Sequence, residues 1–72
     1  MREEVIGLLE NLLPLVNLES EFLFSELSSL DITTIMLVLS EHYKVELSHE
    51  DVTPRNFKNI DSIVALVQSK QK

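Results

Sequence analysis

Apolar residues recur at the three- and four-residue spacing of an amphipathic helix in three segments of the chain. The first segment covers residues 2–13 and should end at Pro14, because the residue before a proline avoids helical backbone angles. The second runs from about Ser29 to Tyr43, and the third follows Asn59. The apolar positions are Val5, Leu8, Leu9 and Leu12 in the first, Ile35, Leu39 and Tyr43 in the second, and Ile60, Ile63, Val64 and Val67 in the third. The pattern predicts three longer helices.

The second segment has the typical beginning of a helix. Ser28 is a natural N-cap, and Asp31 falls in the first turn, where a negative charge is favourable. Many of its residues are β-branched, which would also allow a strand; they are Ile32, Thr33, Thr34, Ile35 and Val38. The length of the segment and the spacing of its apolar residues favour a helix.

The first connection, residues 17–27, is long and is not polar throughout. Its apolar residues are Leu18, Phe22, Leu23, Phe24 and Leu27. Because these side chains need burial, we expect the connection to cross the core, with room for one helical turn. Residues 44–52 are predicted to be mostly loop.

A short turn is predicted just before the last helix. Thr53 and Pro54 are typical of an N-cap followed by proline at the first helical position, where the missing N–H costs nothing. The turn should end at Phe57, with its ring packed inward. Either Asn59 or Asp61 should cap the last helix.

These elements predict an all-α fold, a small bundle of three longer helices plus one short helix with a long first loop. With 72 residues, the chain should form a single domain, 1–72, in which the polar tail 69–72 is flexible.

Composition and charge exclude several functions. The net charge of −6 argues against binding to nucleic acid, and it lies entirely in residues 1–36, where Arg2 is the only base. The chain has no cysteine, which excludes a disulfide framework or a thiolate metal site, and its histidines lack metal-ligand spacing. The uncharged stretches are far shorter than a membrane span, and the acidic N-terminus is unlike a signal peptide. We therefore expect a cytoplasmic monomer that does not bind membranes.

The serine pair before the second helix is the most informative feature. Considered alone, Ser28 and Ser29 are simple helix caps. The stretch Glu26-Leu27-Ser28-Ser29-Leu30, followed by Ile35, Leu39 and Tyr43, resembles the acyl and peptidyl carrier protein family, which places a Gly-Leu-Asp-Ser-Leu-like motif here. Aliphatic residues six and ten positions after the serine and an aromatic residue at fourteen also match the family. The likeness extends over Val45-Glu46-Leu47 and residues 51–63.

The resemblance implies a concrete function and an acyl-carrier-protein-like fold. Ser29 would carry a 4′-phosphopantetheine arm, transferred from coenzyme A by a phosphopantetheinyl transferase. The thiol of the arm would hold an acyl or aminoacyl group as a thioester. Partners would be a loading enzyme and the downstream synthases of a fatty acid, polyketide or nonribosomal peptide type of pathway, with secondary metabolism favoured. The protein itself would not be an enzyme.

The chain departs from the family pattern in two ways. Ser28 stands where the family has aspartate, an acid thought to help the metal site of the transferase, and Asp31 could partly replace its charge. The second helix is also poorer in glutamate than in the family. Partner recognition is assigned to Leu30, Asp31, Met36, Leu37 and Glu41, and should depend more on the apolar Met36 and Leu37 than on charge. Met36 is expected on an exposed or half-exposed stripe, either as ordinary core or, as we favour, as an adaptable contact for partners.

Two alternatives stay open from the sequence. In a second register, Leu30-Asp31-Ile32-Thr33 aligns with the family motif, which places isoleucine at the attachment site and gives a carrier-like fold that cannot be charged. The other alternative is an unmodified helical module that binds another protein through the face formed by Met36 and Leu37.

Overall fold

The computed structural model describes residues 1–71, and within them the protein is all-helical, without strands. The α-helices are α1 (Arg2–Leu12), α2 (Leu23–Glu26), α3 (Ser29–Tyr43) and α4 (Ile60–Lys70), with a 3₁₀ turn at His49–Asp51. The prediction of three longer helices and one short one is confirmed. The β-branched second segment is a helix of 15 residues, with the predicted bounds.

Two predicted helix ends agree with the structure. Leu13 leaves the helical region at the end of α1 (φ −129°), directly before Pro14. Helix α1 does not resume beyond Pro14. At the start of α4, the side chain of Asn59 accepts a hydrogen bond from the Ser62 N–H at 2.9 Å. The cap is therefore Asn59 rather than Asp61.

The short helix lies in a different place from the predicted one. The first connection contains α2, whereas residues 54–57 form a single turn. As predicted, Thr53 caps this turn: its Oγ1 accepts from the Asn56 N–H, and its carbonyl accepts from the Phe57 N–H, both at 3.0 Å. The turn cannot lengthen into a helix because Asn59 is fully extended (φ −154°, ψ −179°).

The hydrophobic core is shared by the three longer helices, with α1 packed against both α3 and α4. Its buried residues are Val5, Leu9, Leu13, Leu18, Leu23, Ile35, Met36, Leu39, Phe57, Ile60, Ile63, Leu66 and Val67. The first connection crosses this core as expected, and the backbone N–H of Leu23 donates to the Lys58 carbonyl at 2.7 Å. That bond joins α2 to the segment just before α4.

The last turn of α4 includes the first two residues of the polar tail 69–72, whose flexibility stays a prediction. Ser69 and Lys70 belong to the helix. The Ser69 hydroxyl donates to the Leu66 carbonyl at 2.6 Å, and Lys70 Nζ lies 3.1 Å from Asp51 Oδ1. Lys72 lies outside the described residues.

A polar contact joins α1 to the end of α3. The Tyr43 hydroxyl donates to Glu4 Oε1 at 2.6 Å, and His42 Nε2 lies 3.5 Å from the same oxygen. The hydrogen bond from Tyr43 lowers the pKa of the Glu4 carboxyl. Burial, together with the carboxylate of Glu4, raises the pKa of Tyr43 to about 12.

We expect Tyr43→Phe to change how stability depends on pH. The pKa of Tyr43 is higher in the folded protein than in the unfolded chain. Its contribution to the free energy of unfolding is therefore complete below pH 10 and is lost as the pH rises from 10 to about 12. The variant should lose less stability over that interval. Urea unfolding of both proteins at neutral and alkaline pH checks this, and parallel pH curves would contradict it.

Candidate functional site

The beginning of α3 is stabilised by a reciprocal pair of hydrogen bonds. Ser28 is extended (φ −85°, ψ 172°), and its Oγ accepts from the Asp31 N–H at 3.1 Å. Asp31 Oδ2 accepts in return from the Ser28 N–H at 3.0 Å. This capping box confirms Ser28 as the N-cap of α3 and anchors the Asp31 carboxylate at the first turn.

Ser29 is in a different situation from Ser28. It is the first residue of α3, and its side chain is exposed. Its carbonyl accepts from the Thr33 hydroxyl at 3.0 Å, but within residues 1–71 its own hydroxyl has no hydrogen-bond partner in the protein. The structure thus separates the two serines, because one hydroxyl stabilises the helix and the other faces solvent.

The electrostatics at Ser29 combine a helix N-terminus with one acidic side chain. The first backbone N–H groups of a helix lack intrahelical acceptors, and the helix dipole favours an anion there. Asp31 is half-buried, and its Oδ2 is engaged with Ser28. A phosphate ester on Ser29 would therefore be close to free N–H donors and to one carboxylate.

The removal of the Ser28 hydroxyl should destabilise the protein measurably. We expect Ser28→Ala to cost about 1 kcal/mol, since it removes one hydrogen bond of the capping box and frees the N–H of Asp31. The matched control is Ser29→Ala, which removes a hydroxyl that caps nothing and should leave stability within about 0.5 kcal/mol. Urea unfolding followed by circular dichroism measures both, and equal losses would contradict the assignment of the cap.

Two leucines form an apolar stripe on the exposed side of α3. Leu30 and Leu37 are 75% and 64% exposed and lie seven residues apart, which places them on one side of the helix. Thr33 and Glu41 are exposed on the same side. We call Leu30, Thr33, Leu37 and Glu41 the α3 face.

The expected exposure of Met36 is wrong. Its side chain is 8% exposed and belongs to the core. Successive helical residues are about 100° apart, so Met36 lies on the side of the buried Leu39, whereas Leu37 lies a further 100° away. Of the residues predicted to recognise partners, only Met36 is unavailable at the surface.

The segment between α1 and α2 contains exposed apolar residues that the sequence pattern did not reveal. Leu15 is 99% exposed, and Phe22, which was expected to be buried, is 69% exposed. Leu18 and Leu23 are buried as predicted. Spacing offers no signal here, because an irregular segment has no fixed period that separates inner from outer side chains.

Other kinds of site receive no support from residues 1–71. No helix there is long and apolar enough to cross a membrane. The same residues contain no group of three histidine or acidic side chains that could hold a metal ion, and both histidines are exposed. Comparison of the chain with protein-family models, with curated proteins and with solved structures finds no match. A functional inference for this chain therefore depends on its own residues.

Proposed function

We propose that the protein is a discrete acyl or aminoacyl carrier, with a 4′-phosphopantetheine arm attached to Ser29. The observation that supports this most is the difference between the two serines. Ser28 Oγ is held in the capping box, whereas Ser29 is exposed and its hydroxyl has no partner within residues 1–71. A serine that must be modified needs this combination of access and a fixed backbone.

The surroundings of Ser29 suit the proposed attachment. In the transfer, the Ser29 oxygen would bond to the pyrophosphate phosphorus of coenzyme A that carries the pantetheine arm, and the bond from this phosphorus to the bridging oxygen would break. Adenosine 3′,5′-bisphosphate would leave, and the transferase would take up the hydroxyl proton. The phosphodiester product would carry a negative charge at the N-terminus of α3, where the helix dipole favours it. Asp31 would lie two residues further on, in the first turn of α3.

The α3 face is the surface we propose for recognition by partner enzymes. Leu30 lies directly after Ser29, and Leu37 follows two turns later on the same side. An enzyme bound to this stripe would lie next to Ser29, where the arm is attached. The flexible arm would raise the local concentration of the cargo at the enzyme's active site. The predicted cytoplasmic location and monomeric state are parts of this proposal.

The proposal is tested by the mass of the intact protein after incubation with coenzyme A and a broad-specificity phosphopantetheinyl transferase. The expected result is a gain equal to one phosphopantetheine arm. A protein that is fully folded by circular dichroism yet gains no mass would overturn the proposal. A known carrier protein in the same reaction shows that the transferase is active.

An unmodified protein-binding module is the second candidate. It is favoured by the exposure of Leu30 and Leu37, which would form the binding face in place of the buried Met36. In this case the protein would gain no mass, and Leu37→Ser would weaken binding to its partner. A carrier would also lose partner binding with this variant, so the mass measurement is what separates the two candidates.

A further inference from the structure

A groove between α1 and the first connection is formed by residues that the carrier function does not use. Inside it lie the buried Leu13 and Leu18, together with the half-buried Ile6 and Val16. The exposed Glu10, Pro14, Asn17 and Glu19 complete its lining. We call this feature the α1–loop groove. Its lining combines apolar side chains with polar ones, and its two charged residues are acidic.

The segment beside the groove is held in place by local hydrogen bonds. The Val16 N–H donates to the Leu13 carbonyl, and the Ser20 N–H donates to the Asn17 carbonyl, each at 3.1 Å. Asn17 Oδ1 also accepts from the Glu19 N–H at 3.1 Å. The exposed Leu15 thus lies within an ordered turn. Leu15 is flanked in sequence by Pro14 and Val16, which both line the groove.

The charge around the groove indicates what kind of partner would bind. Arg2 is the only base in residues 1–36, and its guanidinium already contacts Glu19 at 3.1 Å and Asp61 at 2.9 Å. Glu10 has no basic side chain within salt-bridge distance among residues 1–71. The groove therefore lies in a negative field that favours a basic partner. The same field disfavours an anionic lipid surface and a second copy of this chain, whose net charge is also −6.

We propose that the α1–loop groove and Leu15 bind a basic amphipathic segment of another protein. The segment would place a large apolar side chain in the groove and lysine or arginine beside Glu10. This surface is made of residues other than those of the α3 face. The proposal does not require Ser29 to be modified, so its failure would leave the carrier function untouched.

The test uses two synthetic amphipathic helical peptides that share one leucine face. One peptide has lysines on its other face, and its counterpart has glutamates. In amide chemical-shift mapping on the full chain, the lysine peptide should shift the signals of Glu10, Val16 and Leu18. Affinity measured by fluorescence anisotropy should fall as salt is raised, because the attraction of the charges is screened.

Two variants decide whether the groove is responsible. Leu15→Ser and Glu10→Gln should each weaken binding of the lysine peptide, and the double variant should lower its affinity about tenfold or more. The matched control is Leu37→Ser, which removes an exposed leucine from the α3 face and should leave the affinity unchanged. Circular dichroism checks that every variant is folded.

Several results would overturn the proposal. Equal binding of the glutamate peptide would show that charge does not select the partner. Shifts confined to α3, or unchanged affinity in the double variant, would place binding elsewhere. Binding of anionic vesicles in preference to the lysine peptide would replace the protein partner by a membrane. A dimer in sedimentation that depends on Leu15 would identify the occupant as a second copy.

Discussion

Replacement of Ser29 by alanine is expected to abolish the attachment of phosphopantetheine completely. In the proposed carrier the arm is joined through the serine oxygen, and alanine has no atom that can form this bond. Because the Ser29 hydroxyl makes no hydrogen bond within residues 1–71, the variant should fold like the original protein. Intact mass after incubation with coenzyme A and transferase should therefore remain that of the unmodified chain.

Ser28→Ala is the matched control for this result. It removes the neighbouring hydroxyl, which caps α3, and leaves Ser29 in place. We expect this variant to be less stable but still to gain one arm. A mass gain that survives in Ser29→Ala, or that is lost only in Ser28→Ala, would show that Ser29 is not the attachment site.

A third variant tests position 28, where the chain differs from the acyl and peptidyl carrier protein family that it resembles. Ser28→Asp introduces the acid that the family usually has at this position, and aspartate is also a good N-cap. We expect modification of this variant to be faster than that of the original protein, with stability little changed. An equal rate would show that Asp31 already supplies the charge that the transferase needs.

Phe57→Ala is expected to have the largest effect on stability. Phe57 is 1% exposed and is among the largest fully buried side chains. Truncation of a buried phenylalanine costs about 3–5 kcal/mol, through lost burial and the cavity that remains. A domain of this size has a total stability of about 4–11 kcal/mol, so the variant should be largely or wholly unfolded at moderate temperature. Urea unfolding followed by circular dichroism measures the loss.

Phe22→Ala provides a control with the same change of side chain. Phe22 is mostly exposed, so its truncation should change stability by no more than about 0.5 kcal/mol. If Phe57→Ala is too unstable for a full unfolding curve, Phe57→Leu should still give one, with a smaller loss. Similar losses in the two alanine variants would contradict the described burial.

Much of the fold could be predicted because its signals are local. Proline at position 14 ends α1 through its effect on the preceding residue, and Ser28 and Asn59 cap the helices that follow them. These effects act over one to four residues and do not depend on distant contacts. The candidate site at Ser29 came instead from the resemblance to the carrier protein family, because the serine pair considered alone indicates only helix caps.

The orientation of α3 was predicted less well. The predicted stripe of Ile35, Leu39 and Tyr43 already favours Met36 for the core, because Met36 lies about 60° from Leu39 around the helix and Leu37 about 160°. In the structure Met36 is 8% exposed and belongs to the core, whereas Leu37 is 64% exposed. The hydrophobic effect favours the burial of both side chains, but they point about 100° apart around the helix, so only one of them can face the core.

The sequence by itself determined the helical class of this protein, the bounds of α3, the N-cap role of Ser28 and the inward packing of Phe57. Only the tertiary structure decided which apolar residues between α1 and α3 are buried: Leu18 and Leu23 are, whereas Leu15 and Phe22 remain in water. The physical reason is the distance along the chain over which each effect acts. Caps and helical periods are set by neighbouring residues, whereas burial is set by surfaces that meet only after the chain has folded.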